Sequence, residues 1–143
     1  MIYTQKTRKA MKIAFEIHLN QVDKSGVPYI YHPIHLAEQM ETEEETIVAL
    51  LHDGVEDGKG KLTIEMIEKE FGTRIAKAIS LLTHDEAVPY MDYIREVKKD
   101  SIARKVKEKD LLHNSDKTRL EKITSKDQKR IDKYIEALKL LRE

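Results

Sequence analysis

The sequence predicts an all-α fold. Three observations carry that expectation. Apolar residues recur at three- and four-residue spacing, no segment alternates apolar and polar residues as a strand does, and helix-start signals return along the whole chain. At 143 residues, 40% of them apolar and 36% charged, the chain is long enough to bury one core, and no low-complexity stretch, repeat or linker divides it. A single domain over residues 1–143 is expected.

The elements follow in order. A first amphipathic helix over about residues 4–21 carries Ala10, Ile13, Ala14 and Ile17 on one side. It gives way to Asp23-Lys24-Ser25-Gly26-Val27-Pro28, a turn-forming stretch. A short helix from about Pro33 to Met40 comes next, because proline suits a first helical turn. Thr42 and Glu45 form a capping box for a third helix, whose body, Ile47 to Leu51, is apolar nearly all round and therefore buried. After the looser Gly58-Lys59-Gly60, Thr63 starts a helix that stops at Phe71-Gly72, and Thr73 caps another through about Leu82. Pro89 opens the next, and Asp100 caps one running to about Ser115. Ser125 and Gln128 form a capping box for the last, with a stripe of Ile131, Tyr134, Ile135, Leu138 and Leu141.

Composition excludes several classes of function. There is no cysteine, which removes disulfides, thiolate catalysis and sulfur-ligated metals and suits a cytoplasmic protein. No signal peptide is visible, and the longest apolar run, Ile47 to Leu51, is too short to cross a membrane. Net charge is zero, but residues 1–94 carry 10 Lys and Arg against 16 Asp and Glu, and residues 95–143 carry 16 against 10. The basic residues are interleaved with acids, which reads as solvated helix faces and not as a nucleic-acid surface. Tyr90 and Tyr93 are candidates for a pocket wall or a contact between copies in a homo-oligomer, with core packing as the default.

Chemistry concentrates in two helices. Asp53, Glu56 and Asp57 lie at the C-terminal end of the third, where the helix dipole already disfavours negative charge. Three carboxylates beside a buried helix end need a compensating cation, from a distant Arg or Lys or from a bound metal. His52, next to Asp53, adds a nitrogen donor to an oxygen donor. Asp110 falls within an apolar arc with Ile102, Ala103, Val106 and His113, so it too needs a partner, either a lysine in a buried ion pair or a ligand. Asn114 lies one turn further on the same face. His32 stands between Tyr31 and Pro33, and His18, His35 and His84 read as structural.

Together these residues resemble the HD hydrolase domain of the RelA/SpoT family, especially the free-standing small alarmone hydrolases. The stretches that carry the resemblance are Ala14 to Ala37 (AFEIHLNQVDKSGVPYIYHPIHLA), Thr46 to Gly72 (TIVALLHDGVEDGKGKLTIEMIEKEFG) and Val106 to Asp116 (VKEKDLLHNSD). It implies an all-α HD fold with a divalent metal, most often Mn²⁺, on His32, His52, Asp53 and Asp110. It implies that Glu56 and Asp57 handle protons and orient water, and that Asn114 and Lys24 contact a nucleotide substrate. The implied activity is pyrophosphohydrolysis of (p)ppGpp or a related nucleotide. The alternatives are hydrolysis of another nucleotide or phosphoester, and a non-catalytic metal- or nucleotide-binding module. Four places depart from the family pattern: Asn20 for a glycine, Asp23 for a basic residue set against the nucleobase, Glu108-Lys109 for small or apolar residues, and His84-Asp85-Glu86 where basic residues hold the phosphates.

Overall fold

Helices at both ends and at the centre of the chain start where a threonine or aspartate side chain accepts from the amides that a helix leaves unpaired. The computed structural model, which describes residues 1–143, has α1 (Gln5–Ile17), α2 (Tyr31–Ala37), α3 (Glu43–Leu51), α4 (Gly54–Asp57), α5 (Ile64–Phe71), α6 (Thr73–Leu82), α7 (Tyr90–Lys98), α8 (Ser101–Asn114) and α9 (Ser125–Arg142). A 3₁₀ turn at Lys117–Arg119 precedes α9. No strand is present, only an isolated antiparallel bridge between Val22 and Pro28. That bridge closes the turn-forming stretch, in which Asp23 Oδ1 accepts from the amides of Ser25 (2.9 Å) and Val27 (3.0 Å). No helix is long and apolar enough to cross a membrane.

The predicted caps at Thr42, Thr63 and Asp100 are all formed. Two others fall one residue earlier than expected. The last helix is capped by Thr124 with Asp127, not by Ser125 with Gln128; Asp127 Oδ2 accepts from the Thr124 amide at 3.0 Å, completing the box. Likewise α6 is entered through Gly72, whose φ of 97° suits glycine, and Thr73 is its first helical residue. The first two helices also differ from expectation: α1 ends at Ile17, and α2 runs from Tyr31 to Ala37.

At the centre lies α3, with Ile47, Val48, Ala49, Leu50 and Leu51 all fully buried. It packs against α1, α2, α6 and α8. The third helix does not run on to the acids, however. It stops at Leu51, and Glu56 and Asp57 sit on the separate one-turn α4. Gly58 permits this close step, since a Cβ there would lie 2.5 Å from the Gly54 carbonyl oxygen. The stripe on α9 buries Ile131 and Leu141, whereas Ile135 is 40% exposed.

Asp100 is the cap on which α8 depends. Its Oδ1 accepts from the amides of Ile102 (3.0 Å) and Ala103 (2.9 Å), while Arg74 grips both oxygens at 3.1 and 2.9 Å. Burial works against the charge, but the amides and Arg74 outweigh it and hold the carboxyl below its ordinary pKa. Asp100→Ala is expected to cost about 2 kcal/mol, measured by urea denaturation at neutral pH. Because the folded pKa is depressed, that difference is full above the ordinary carboxylate range. It shrinks as pH falls through the folded pKa.

Candidate metal centre

Three separate elements deliver the central side chains. Burial of α3 brings His52 and Asp53 to its end, α2 contributes His32, and the face of α8 that packs on α3 carries Asp110. His32, His52 and Asp110 are buried, and the Asp53 side chain is 20% exposed. Ligand atoms of His32, His52 and Asp53 lie within 4.8 Å of one another. Asp110 Oδ1 is 2.9 Å from His32 Nε2 and 3.5 Å from His52 Nε2. The chain thus gathers all four side chains expected to hold a metal.

Their chemistry fits a divalent cation. His52 Nδ1 lies 2.6 Å from the Ala49 carbonyl oxygen, to which it can only donate. In the neutral imidazole, Nε2 is therefore a bare lone pair. It is buried, makes no hydrogen bond, and lies 3.0 Å from Asp53 Oδ2. Two acceptors so placed repel unless a proton or a metal ion lies between them. Burial alone would depress the His52 pKa; the Asp53 and Asp110 carboxylates outweigh it and hold the imidazole well above its usual value. Burial likewise opposes charge on Asp53, yet His52 brings its carboxyl down to about 2. Asp110 is kept well below the ordinary range by Lys107, against its burial. The cluster demands positive charge, and two nitrogens with two carboxylate oxygens suit a first-row divalent ion.

Further residues hold these donors in place. Lys107 Nζ donates to Asp110 Oδ2 at 2.8 Å, so the buried ion pair is present alongside the cation site, on the other carboxylate oxygen. Asn114 Nδ2 donates to Asp110 Oδ1 at 2.9 Å, and its own carbonyl accepts from Arg119 at 3.2 Å. Tyr29 donates its hydroxyl to Asp53 Oδ2. His32 Nδ1 lies 2.8 Å from His113 Nδ1; when Nε2 faces a cation, Nδ1 carries the proton and His113 accepts. Burial, with Arg119 nearby, lowers the His113 pKa to about 4, consistent with a neutral acceptor.

A cavity of about 390 Å³ opens on the centre, lined by His52, Asp53, Asp110 and Asn114 and also by Glu56 and Asp57. Glu56 Oε1 accepts from the His84 amide at 2.6 Å. Asp57 accepts from Gln21 at 3.1 Å, and Gln21 in turn accepts from buried His18 at 2.7 Å. Burial raises both carboxyls above their ordinary pKa. Lys24 is elsewhere, lining an adjacent cavity of similar size that shares Tyr29, Asn114 and Tyr134 as walls. Tyr90 and Tyr93 both line the metal cavity, and Tyr93 is also part of the core.

Sequence reasoning missed Tyr29, Lys107 and the role of His113. Lys107 alone had a visible signal, since it lies three residues before Asp110 on one helix. His84, read as structural, does spend its ring on the Val88 carbonyl at 2.7 Å, while its amide positions Glu56.

Comparison with known proteins bears on the family and the fold. A family described as "HD domain" matches residues 10–139. The guanosine-3′,5′-bis(diphosphate) 3′-pyrophosphohydrolase of Aquifex aeolicus is 36% identical over 92 residues, covering 62% of this chain and 13% of that protein. The pyrophosphohydrolase of the same description, MESH1, from Danio rerio is 37% identical over 89 residues, covering 57% of this chain and 48% of that protein. The chain thus matches less than half the length of either relative. Among solved structures, a metazoan ortholog of SpoT described as hydrolysing ppGpp superposes with a TM-score of 0.79 at 22% identity, over 99% of this chain and 88% of that one. That likeness shows a shared fold.

Titration calorimetry with Mn²⁺ tests the centre. Binding must displace the proton that His52 otherwise holds, so affinity is expected to rise with pH, with protons released to buffer. Asp53→Ala is expected to abolish binding; full occupancy in that variant would refute the ligand assignment.

Proposed function

The chain belongs to the HD-domain family, and from that premise we propose that it is a metal-dependent phosphohydrolase that removes pyrophosphate from (p)ppGpp or a related nucleotide. Residues 1–143 act as one catalytic domain in this reading. The observation that carries it is the confrontation of His52 Nε2 with the Asp53 carboxylate, on the wall of a cavity that also holds two carboxyls of raised pKa. The names of the Aquifex and zebrafish relatives supply the substrate class.

His32, His52, Asp53 and Asp110 are the ligands in this account, and a divalent ion there, Mn²⁺ by preference, supplies a Lewis acid that makes water acidic and shields phosphoryl oxygens. The chain's own groups do the rest. Glu56 has one oxygen fixed by the His84 amide and the other free to take a proton from water or return one to the leaving oxygen. Burial raises its pKa above the ordinary carboxylate range, which favours its holding a proton more than a solvated carboxylate would. Asp57, tethered through Gln21 to His18, is the second acceptor for that water. Asn114 and Lys107 keep Asp110 ionised and aimed. The neighbouring cavity at Lys24 and Asn114 receives the remainder of the nucleotide, since the two cavities share a wall.

A second reading keeps the chemistry and changes the nucleotide. It is favoured by Asp23, whose carboxylate is spent on two turn amides and faces Arg119 at 3.7 Å. A side chain so occupied supplies no cation to a base.

Purified protein with Mn²⁺, offered a nucleotide panel that includes ppGpp, is expected to release pyrophosphate from ppGpp. Turnover of another nucleotide alone would select the second reading, and turnover of none would select a binding module. Glu56→Gln is expected to lower kcat about 100-fold or more while metal content stays unchanged.

A further inference from the structure

The metal cavity has a charge imbalance that its ligands do not resolve. Four carboxylates line it, Asp53, Glu56, Asp57 and Asp110, against two ammonium groups, Lys107 and Lys133. A divalent ion brings the lining only to neutrality, so a substrate with several phosphate charges needs a cation free to meet it. Lys107 is not free, being bound to Asp110 Oδ2 at 2.8 Å. In the adjoining cavity, Arg130 is paired with Asp127 at 2.8 Å and Arg119 with Asp23 at 3.7 Å, and Lys24, which no carboxylate holds, does not line the metal cavity.

Lys133 differs from these. It projects from α9 into the metal cavity and is paired with no carboxylate. The acids nearest it in sequence are engaged elsewhere, Glu136 with Lys139 at 3.3 Å and Asp132 with Gln128 at 2.8 Å. Its Nζ lies 4.6 Å from the centroid of the Tyr90 ring and 5.5 Å from that of Tyr134. Aromatic faces fix a cation without neutralising it.

The same wall holds an unused donor. Four tyrosines line the cavity. Tyr29 donates to Asp53, and Tyr93 donates to the Leu82 carbonyl at 2.7 Å. The Tyr90 hydroxyl is buried and has no hydrogen-bond partner. A buried hydroxyl left unpaired is costly to keep, which points to an acceptor supplied by a ligand. Burial is also the main influence on the Tyr90 phenol, raising its pKa, so it stays protonated as a donor.

We propose that Lys133 and the Tyr90 hydroxyl form an anion subsite on the α7–α9 wall, which takes a phosphate group of the substrate other than the one held at the metal. This deepens the hydrolase reading, on which the identity of the anion as a substrate phosphate rests. It also gives the chain a phosphate-binding cation in place of the basic residues missing at His84-Asp85-Glu86. Lys133 acts as a point charge and Tyr90 as a directional donor, so the pair accepts a terminal phosphate without reading the base.

The test separates the subsite from the hydrolase reading by using inorganic phosphate, whose binding needs no turnover. Calorimetric titration of the Mn²⁺-loaded chain with phosphate is expected to show about tenfold weaker binding in Lys133→Met and about threefold weaker in Tyr90→Phe. Lys133→Arg should retain most of the affinity, and Lys139→Met, on the same helix but paired outside the cavity, should change nothing. Lys133 is exposed, so Lys133→Met should keep the wild-type thermal melt. With a nucleotide that is turned over, Lys133→Met should raise KM about tenfold and leave kcat within about twofold. Unchanged phosphate affinity in both Lys133→Met and Tyr90→Phe would overturn the subsite, whether or not any nucleotide is hydrolysed. Weakened phosphate binding with no turnover of any nucleotide would uphold the subsite and remove the hydrolase reading.

Discussion

The Ala49 carbonyl decides which nitrogen of His52 is free. By accepting from Nδ1 at 2.6 Å it leaves Nε2 to face Asp53 and Asp110 as a lone pair. In a buried setting, a lone pair set against two carboxylates cannot persist without positive charge between them. The surroundings serve that need. Tyr29 and Asn114 donate to Asp53 Oδ2 and Asp110 Oδ1, the same oxygens that face the two imidazoles, and so aim them, while Lys107 takes the outer oxygen of Asp110. Lys107 shows that one protein cation is not enough, since it sits on the far oxygen of Asp110 and not among the four donors.

The fold supplies this arrangement by burying the helices that carry it. Because α3 is buried on every side from Ile47 to Leu51, its last residues have no freedom to retreat into solvent. The chain breaks at Asp53 and restarts as α4, which turns Glu56 and Asp57 toward the cavity instead of stacking them along one helix. The cap at Asp100 fixes where α8 begins, and so where Asp110 arrives on its third turn. Stability and site geometry therefore share residues, Asp100 among them.

Much of this was legible because it is local. Caps at Thr42, Thr63 and Asp100 depend on a few neighbouring residues, and the apolar run of α3 announces its burial. Asp110 could be singled out as an acid in an apolar arc. Where local signals overlap they mislead: Thr124, Ser125, Asp127 and Gln128 offer two capping boxes, and only packing chooses between them. His32 became a candidate through resemblance alone, since nothing around it in sequence reveals that His113 and Asp110 approach it from α8. Tyr29 and Lys133 were hidden for the same reason, and Tyr90 was visible only as a candidate for a pocket wall. Their partners come from distant helices, and an unsatisfied hydroxyl has no sequence signature.

The central claim is that one divalent ion lies among His32, His52, Asp53 and Asp110. Anomalous diffraction from crystals of the Mn²⁺-loaded protein, collected near the manganese edge, tests it most directly. The account predicts a single strong peak bonded to His32 Nε2, His52 Nε2 and one oxygen from each aspartate. A peak bound by other residues, or no peak among these four in crystals that bind manganese elsewhere, would contradict it.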